Sequence, residues 1–214
     1  MAGDLNQETR LKILLEQLDR ARATLARYQN ARRRSMNIGA LVLLALLLLA
    51  YSPSVPMAAL CLPFVVIYMV AQYGYLTHLL FLGRAHAAGL ESKINAEAGE
   101  TLVATESLES AHSGPLGEPH ILGISLGNLT GICSATTLHY LIICLVIFVG
   151  GALRSRYILS EELAPVEKLA DVYFPLLILW SVINVVYLLW YFIAGRSESN
   201  LMARIRKEYQ PKGE

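Results

Sequence analysis

Apolar and polar positions alternate in long blocks along this chain, and the blocks organise it before any single residue does. Ile38–Tyr51 reads IGALVLLALLLLAY, and Met57–Gly83 is again free of charge. The uncharged run from Ser35 to Gly83 is too long for one helix across a hydrocarbon core, which takes about 20 residues. Pro53 and Pro56 interrupt it where a turn is needed. The pattern predicts a transmembrane hairpin over residues 36–83, with spans at about 36–52 and 57–83. Two further uncharged runs predict a second helical pair over 132–195, with spans at about 132–153 and 172–195.

Polar segments separate these blocks. Residues 1–35 are basic, 84–131 carry six glutamates against Arg84 and Lys93, 154–171 form a charged linker, and 196–214 a basic tail. The first apolar block is no ordinary secretory signal, because about 35 residues precede it. Met57-Ala58-Ala59-Leu60-Cys61 loosely resembles a lipoprotein box, but Leu60 stands where a small residue is needed.

Within the first polar segment, Leu11, Leu14, Leu18, Ala21, Leu25 and Tyr28 repeat at spacings of three and four. That is a heptad seam on an amphipathic helix. Asp4 and Gln7 offer an N-terminal cap. No Gly or Pro follows Gly3 in the segment, so one helix is able to run on into the first span. The seam is a candidate for self-association, for packing within the chain, or for lying on lipid. Arg32, Arg33 and Arg34 abut the first span and are the candidate contact for anionic lipid headgroups.

In the middle segment, Ala87, Leu90, Ile94 and Ala98 share one helical face, with Glu91, Lys93 and Glu97 on the others. The second span is therefore expected to continue as a helix until Gly99. Ser113–Pro119 is a loop rich in turn formers. Gly123, Gly127 and Gly131 then recur every fourth residue, as do the small residues that let membrane helices approach closely. The alternative is a loop whose glycines fall in step.

Composition narrows the class. Hydrophobic residues make up 55% and charged residues 16% of the 214, against about a quarter charged in soluble domains. A net charge of +1 excludes a nucleic-acid binder that works through bulk charge. Three cysteines make no disulfide framework. The expected fold is an all-α integral membrane protein with four transmembrane helices and an N-terminal cytoplasmic amphipathic helix.

Orientation follows from Lys and Arg. With four spans, fifteen of the eighteen fall on the side of the two termini and the 84–131 segment, and three on the other. Both termini are then cytoplasmic in a cell membrane, inner or plasma, by the positive-inside rule. Trp190, Tyr191 and Phe192 fit an aromatic anchor at the end of the fourth span.

Polar residues inside the spans are the best pointers to function. Gln72 and Asn184 fall near mid-span, while His78 and His139 fall in the cytoplasmic half. Tyr68, Gln72 and Tyr75 share a face of the second span, Thr136 and His139 one of the third, and Trp180, Asn184, Tyr187 and Tyr191 one of the fourth. Such stripes either line a polar path or hold the bundle together by interhelical hydrogen bonds. No Asp, Glu, Lys or Arg lies within a span, which argues against a coupled transporter.

Catalytic motifs are sparse. Gly123-Ile124-Ser125-Leu126-Gly127 fits the G-x-S-x-G elbow of serine hydrolases, but no acidic residue lies between Ser125 and the following His139. His86, His112 and His120 match no metal-ligand spacing. Asn128-Leu129-Thr130 is a glycosylation sequon on the side where it would not be used. The expectation is a non-enzymatic membrane protein without cofactor or metal: a self-associating scaffold, sensor or membrane-perturbing effector. Its partners would be the lipid bilayer and a second copy of the chain, not nucleic acid. A small channel or transporter subunit, with a path past Gln72, His139 and Asn184, is the alternative; a membrane enzyme without a recognisable motif is the third reading.

Overall fold

A computed structural model of the chain describes residues 7–105, 120–121, 124–125, 132–162, 167–193 and 207. Nearly all of them are helical. Helix α1 spans Gln7–Ala50, so the N-terminal seam and the first apolar block belong to one continuous 44-residue helix. A short 3-10 stretch, Pro56–Cys61, leads into α2, Leu62–Ala98. Helix α3 spans Ile132–Tyr157 and passes into a π-helical turn, Ile158–Glu162. Helix α4 spans Glu167–Ile193. A two-residue antiparallel ladder pairs His120–Ile121 (β1) with Ile124–Ser125 (β2).

All four helices are long and apolar enough to cross a membrane, in agreement with the expected number of spans. The chain divides into two compact units, one drawn from residues 1–31, 76–135 and 194–214, the other from 32–75 and 136–193.

The first unit is an antiparallel helical hairpin. Leu14 and Leu18 of α1 are buried against Ala87, Leu90 and Ile94 of α2, with Ala21 and Val103 beside them. Leu25 is buried as well, while Leu11 and Tyr28 are half-buried. The seam that could have faced a second copy is therefore covered by the chain's own α2. The face of α2 expected from Ala87, Leu90 and Ile94 is the one that covers it. Glu91, expected on another face, is buried too, and Arg22 reaches it at 2.9 Å.

Local chemistry closes the open end of this hairpin. Gly99 takes φ +74, the left-handed conformation that ends a helix at little cost for glycine. Its N–H donates to Asn95 O at 3.0 Å. The Asn95 side chain then folds the next residues back: Oδ1 accepts from the N–H groups of Leu102 and Val103, and Nδ2 donates to Val103 O. Gln7 Nε2, at the start of α1, donates to Glu97 O at 2.7 Å, occupying a carbonyl that the end of α2 leaves open.

The second unit packs the apolar parts of the four helices around α2. Half of the most apolar stretch of α2 is buried, against 11% in α1 and 17% in each of α3 and α4, so α2 is the central element. One core cluster joins Leu43 and Ala50 of α1 to Leu62, Val66 and Met69 of α2, Cys144 of α3 and Ile158. Another joins Tyr173 and Leu177 of α4 to Phe64 and Ile67 of α2. Two glycines permit close approach: a Cβ on Gly39 would run into Met69 Cε, and one on Gly151 would fall 3.0 Å from Leu62 Cβ. The outer faces remain apolar, with Leu41, Leu48, Val146, Ile178 and Val186 all more than half exposed. Contiguous exposed apolar surface of that kind suits hydrocarbon rather than water.

Candidate functional site

The loop before α2 shows how this unit uses its polar atoms. Ser52 N–H bonds back to Leu49 O, a tightening of the last turn of α1 just before Pro53. The chain restarts with Pro56 at the head of the 3-10 stretch. Pro63 then sits four residues after Ala59 and three after Leu60. It has no N–H, so it cannot serve the Ala59 carbonyl in α-geometry or the Leu60 carbonyl in 3-10 geometry. Side chains stand in. Ser155 Oγ, fully buried, lies 3.1 Å from Ala59 O and 2.7 Å from Gly151 O. The Tyr173 hydroxyl lies 3.0 Å from Leu60 O and 3.1 Å from Ser155 Oγ, with one proton to give between them. Trp180 Nε1 donates to Phe64 O at 3.2 Å. Three donors from α3 and α4 thus converge on the first turns of α2 and the stretch before it.

Further along α2, the Tyr73 hydroxyl meets Thr137 Oγ1 at 2.7 Å, and its ring lies against Tyr140 with centroids 4.8 Å apart. Arg32 reaches over the Tyr73 ring, its Cζ 6.0 Å from the centroid, a cation–π distance.

The expected polar stripe takes a different form. Asn184 is buried, Gln72 and His78 are half-buried, and His139 is exposed. The inward residues of α3 are Thr137, Cys144, Gly151 and Ser155. His139 is two positions from Thr137, about 200° around the helix, so it points away from them. Thr136 is exposed for the same kind of reason. On α2, Tyr68 and Tyr75 face outward, and Tyr73 takes the inward place. On α4, Trp180 and Asn184 are inward, but Tyr187 is exposed. Within the second unit, Gln72, His139 and Asn184 do not form one polar surface.

What the second unit offers instead is an apolar cleft of about 300 Å³ between α2, α3 and α4. Val66, Ile67 and Val70 line it from α2, Leu141, Cys144, Leu145 and Phe148 from α3, and Ser181, Asn184, Val185 and Leu188 from α4. Its polar side chains are partly occupied already. Ser181 Oγ donates to Leu177 O at 2.7 Å, and Asn184 Nδ2 donates to Trp180 O at 2.8 Å, both within α4.

Other sequence candidates fall elsewhere. Gly123, Gly127 and Gly131, together with His112, Asp4 and Asn128, lie outside the described residues. Ser125 stands opposite His120 on the β1–β2 ladder. Among the described residues no group of His, Cys, Asp or Glu is placed to hold a metal ion. Arg33 and Arg34 are exposed on α1, and Arg32 is half-buried. Trp190 is exposed at 74%.

Comparison with protein-family models, with curated proteins and with solved structures finds no match.

Sequence reasoning missed Ser155, Tyr173, Tyr73 and Thr137. A signal existed for the first two. A proline in the first turn of a span leaves an upstream carbonyl without its α-helical donor, and a serine and a tyrosine close to span ends are natural donors. The phase of α3 carried no such signal, because Thr136 and Thr137 are adjacent and chemically alike.

Proposed function

We propose that the chain is a non-enzymatic, four-span protein of the inner or plasma membrane, with both termini and the 84–131 segment on the cytoplasmic side. In this reading it acts as a membrane-anchored scaffold, with the α1–α2 hairpin as its soluble platform. The observation that carries it is the closed seam: Leu14 and Leu18 lie against Ala87, Leu90 and Ile94 of the same chain. The hairpin's apolar contacts are thereby used internally. Its outward positions are mostly polar: Arg10, Lys12, Glu16, Asp19 and Arg20 are exposed, with Ile13 and Leu15 among them. Such a surface suits reversible polar contact with soluble partners. Association with a second copy through the seam would first require the hairpin to open.

Several features support the membrane setting. Four apolar helices present aliphatic outer faces. The distribution of Lys and Arg favours the side of the termini by fifteen to three. Exposed Arg33 and Arg34 are suited to anionic headgroups, and exposed Trp190 to the interface. The non-enzymatic reading is supported by how the buried hydroxyls of Ser155 and Tyr173 are used: they serve the backbone at the start of α2.

Topology is tested by thiol labelling in intact cells. In a background without native cysteines, Ser54→Cys should react with an impermeant reagent and Ser110→Cys should not. The opposite pattern would overturn the orientation, and reaction at both sites would overturn the four-span reading.

A further inference from the structure

The apolar cleft of the second unit has a shape that selects among occupants. Its lining runs from Leu141 to Phe148 on α3 and from Ser181 to Leu188 on α4. Seven residues of helix span roughly 10 Å at 1.5 Å per residue, so the cleft is drawn out along the helices. A volume of about 300 Å³ over that length leaves a cross-section of roughly 30 Å². An α-helix with its side chains is about 10–12 Å across, a cross-section more than twice as large. A helix from a second copy would lie across the open side of the cleft without filling it, whereas a single hydrocarbon chain is thin enough to fill it.

Chemistry agrees with shape. Aliphatic and aromatic side chains make most of the wall. Ser181 and Asn184 each direct a donor to a carbonyl of α4 itself, so a polar ligand would find its interactions partly taken. Around the mouth of the cleft, Leu145 and Val185 are exposed at 61% and 50%, continuous with the apolar outer faces of α3 and α4. If those faces meet the bilayer, as in the function proposed above, the medium at the mouth is lipid hydrocarbon.

On that reading, the geometry points to a binding site for one acyl chain of a membrane lipid, lodged between Val70 of α2, Leu141 of α3 and Leu188 of α4.

Photo-crosslinking tests it. The full chain is reconstituted in liposomes of phosphatidylcholine and phosphatidylglycerol containing a phosphatidylcholine with a diazirine on its acyl chain. Adducts are then mapped by mass spectrometry. Val70, Leu141 and Leu188 are half-buried, whereas Ile142, Val146 and Val186 are exposed on the outer faces. Lipid that only surrounds the protein would label the exposed set more heavily. A lodged chain should label the cleft set several-fold more than the exposed set. Val70→Phe and, separately, Leu188→Phe should remove the cleft adducts and leave the outer ones. The wild-type pattern decides the matter even if either variant fails to fold. Labelling confined to the outer set would overturn the acyl-chain site while leaving the membrane reading intact. Adducts at neither set would overturn both.

Discussion

Ser155 Oγ lies 3.1 Å from Ala59 O, on a carbonyl that Pro63 deprives of its α-helical donor. The contact spans 96 positions in sequence. It ties the end of α3 to the entry of α2, and Tyr173 extends it from α4 through Leu60 O. A proline that opens a helix thus becomes the point where three helices are pinned together.

Ser155→Ala should destabilise the second unit by about 1 kcal/mol, the usual net value of one hydrogen bond. Ala59 O keeps the Leu62 N–H, which limits the loss. Tyr173→Phe should cost a similar amount, and the two changes should be non-additive because they share an atom pair. Adding Pro63→Ala to Ser155→Ala restores a backbone donor near the vacated site and should recover part of the loss. Unfolding in mixed micelles measures all four variants. Strict additivity of the Ser155 and Tyr173 changes would argue that the network is not one unit.

The hairpin makes a different prediction. Leu14→Glu with Leu18→Glu places two charges against Ala87, Leu90 and Ile94, which costs several kcal/mol unless the helices part. The expected result is loss of protease protection over residues 7–31 and 84–105, with an unchanged particle mass in detergent. A fall in mass toward a monomer would assign the seam to a second copy after all. Arg22→Ala removes one partner of Glu91, whose side chain is only 7% exposed. Arg22 itself is 38% exposed, so solvent screens the pair and the loss should stay near 1–2 kcal/mol, below the range for fully buried pairs.

Gly39 and Gly151 should rank opposite to their nearest distances. A Cβ at Gly39 runs into Met69 Cε, but Cε is the end of a flexible side chain that can swing aside. A Cβ at Gly151 approaches Leu62 Cβ at 3.0 Å and Pro63 Cδ at 3.4 Å, atoms fixed by the backbone. Gly151→Ala is therefore expected to cost about 1–3 kcal/mol as overpacking. Gly39→Ala should cost less, and should become neutral or better with Met69→Ala. Thermal unfolding of the two single variants gives the order directly; a larger loss at Gly39 would mean that Met69 is held rigidly.

These contacts mark where sequence reading succeeds and where it stops. Uncharged length alone places the four apolar helices, because membrane thickness sets a scale. The run of α1 into its apolar block followed from the lack of Gly and Pro, and the end of α2 at Gly99 followed from glycine's conformational freedom. The face of Ala87, Leu90 and Ile94 was legible because polar residues flank it. Inside the apolar blocks that contrast vanishes. With Leu, Ile and Val on every side of α3, nothing in the sequence sets its rotation, and Thr137 rather than Thr136 turns inward. The partner of the N-terminal seam was likewise open, since Leu14 and Leu18 would pack on any apolar face.

Rotation of α3 leads to the last prediction. His139 is exposed, and Asn184 is buried beside the apolar cleft. A polar path needs both on one surface. His139→Phe should change stability by no more than about 0.5 kcal/mol, as a surface substitution does. Asn184→Leu gives up one hydrogen bond within α4, worth about 0.6 kcal/mol in membrane helices, and adds apolar contact in the cleft, so its net effect should be close to zero. Proton and ion flux into liposomes, followed over about pH 5 to 8 where a histidine can report, should be flat and alike in wild type and both variants. A pH-dependent flux in wild type that His139→Phe abolishes, with the protein still assembled, would return His139 to a water-filled path and replace the scaffold by a channel.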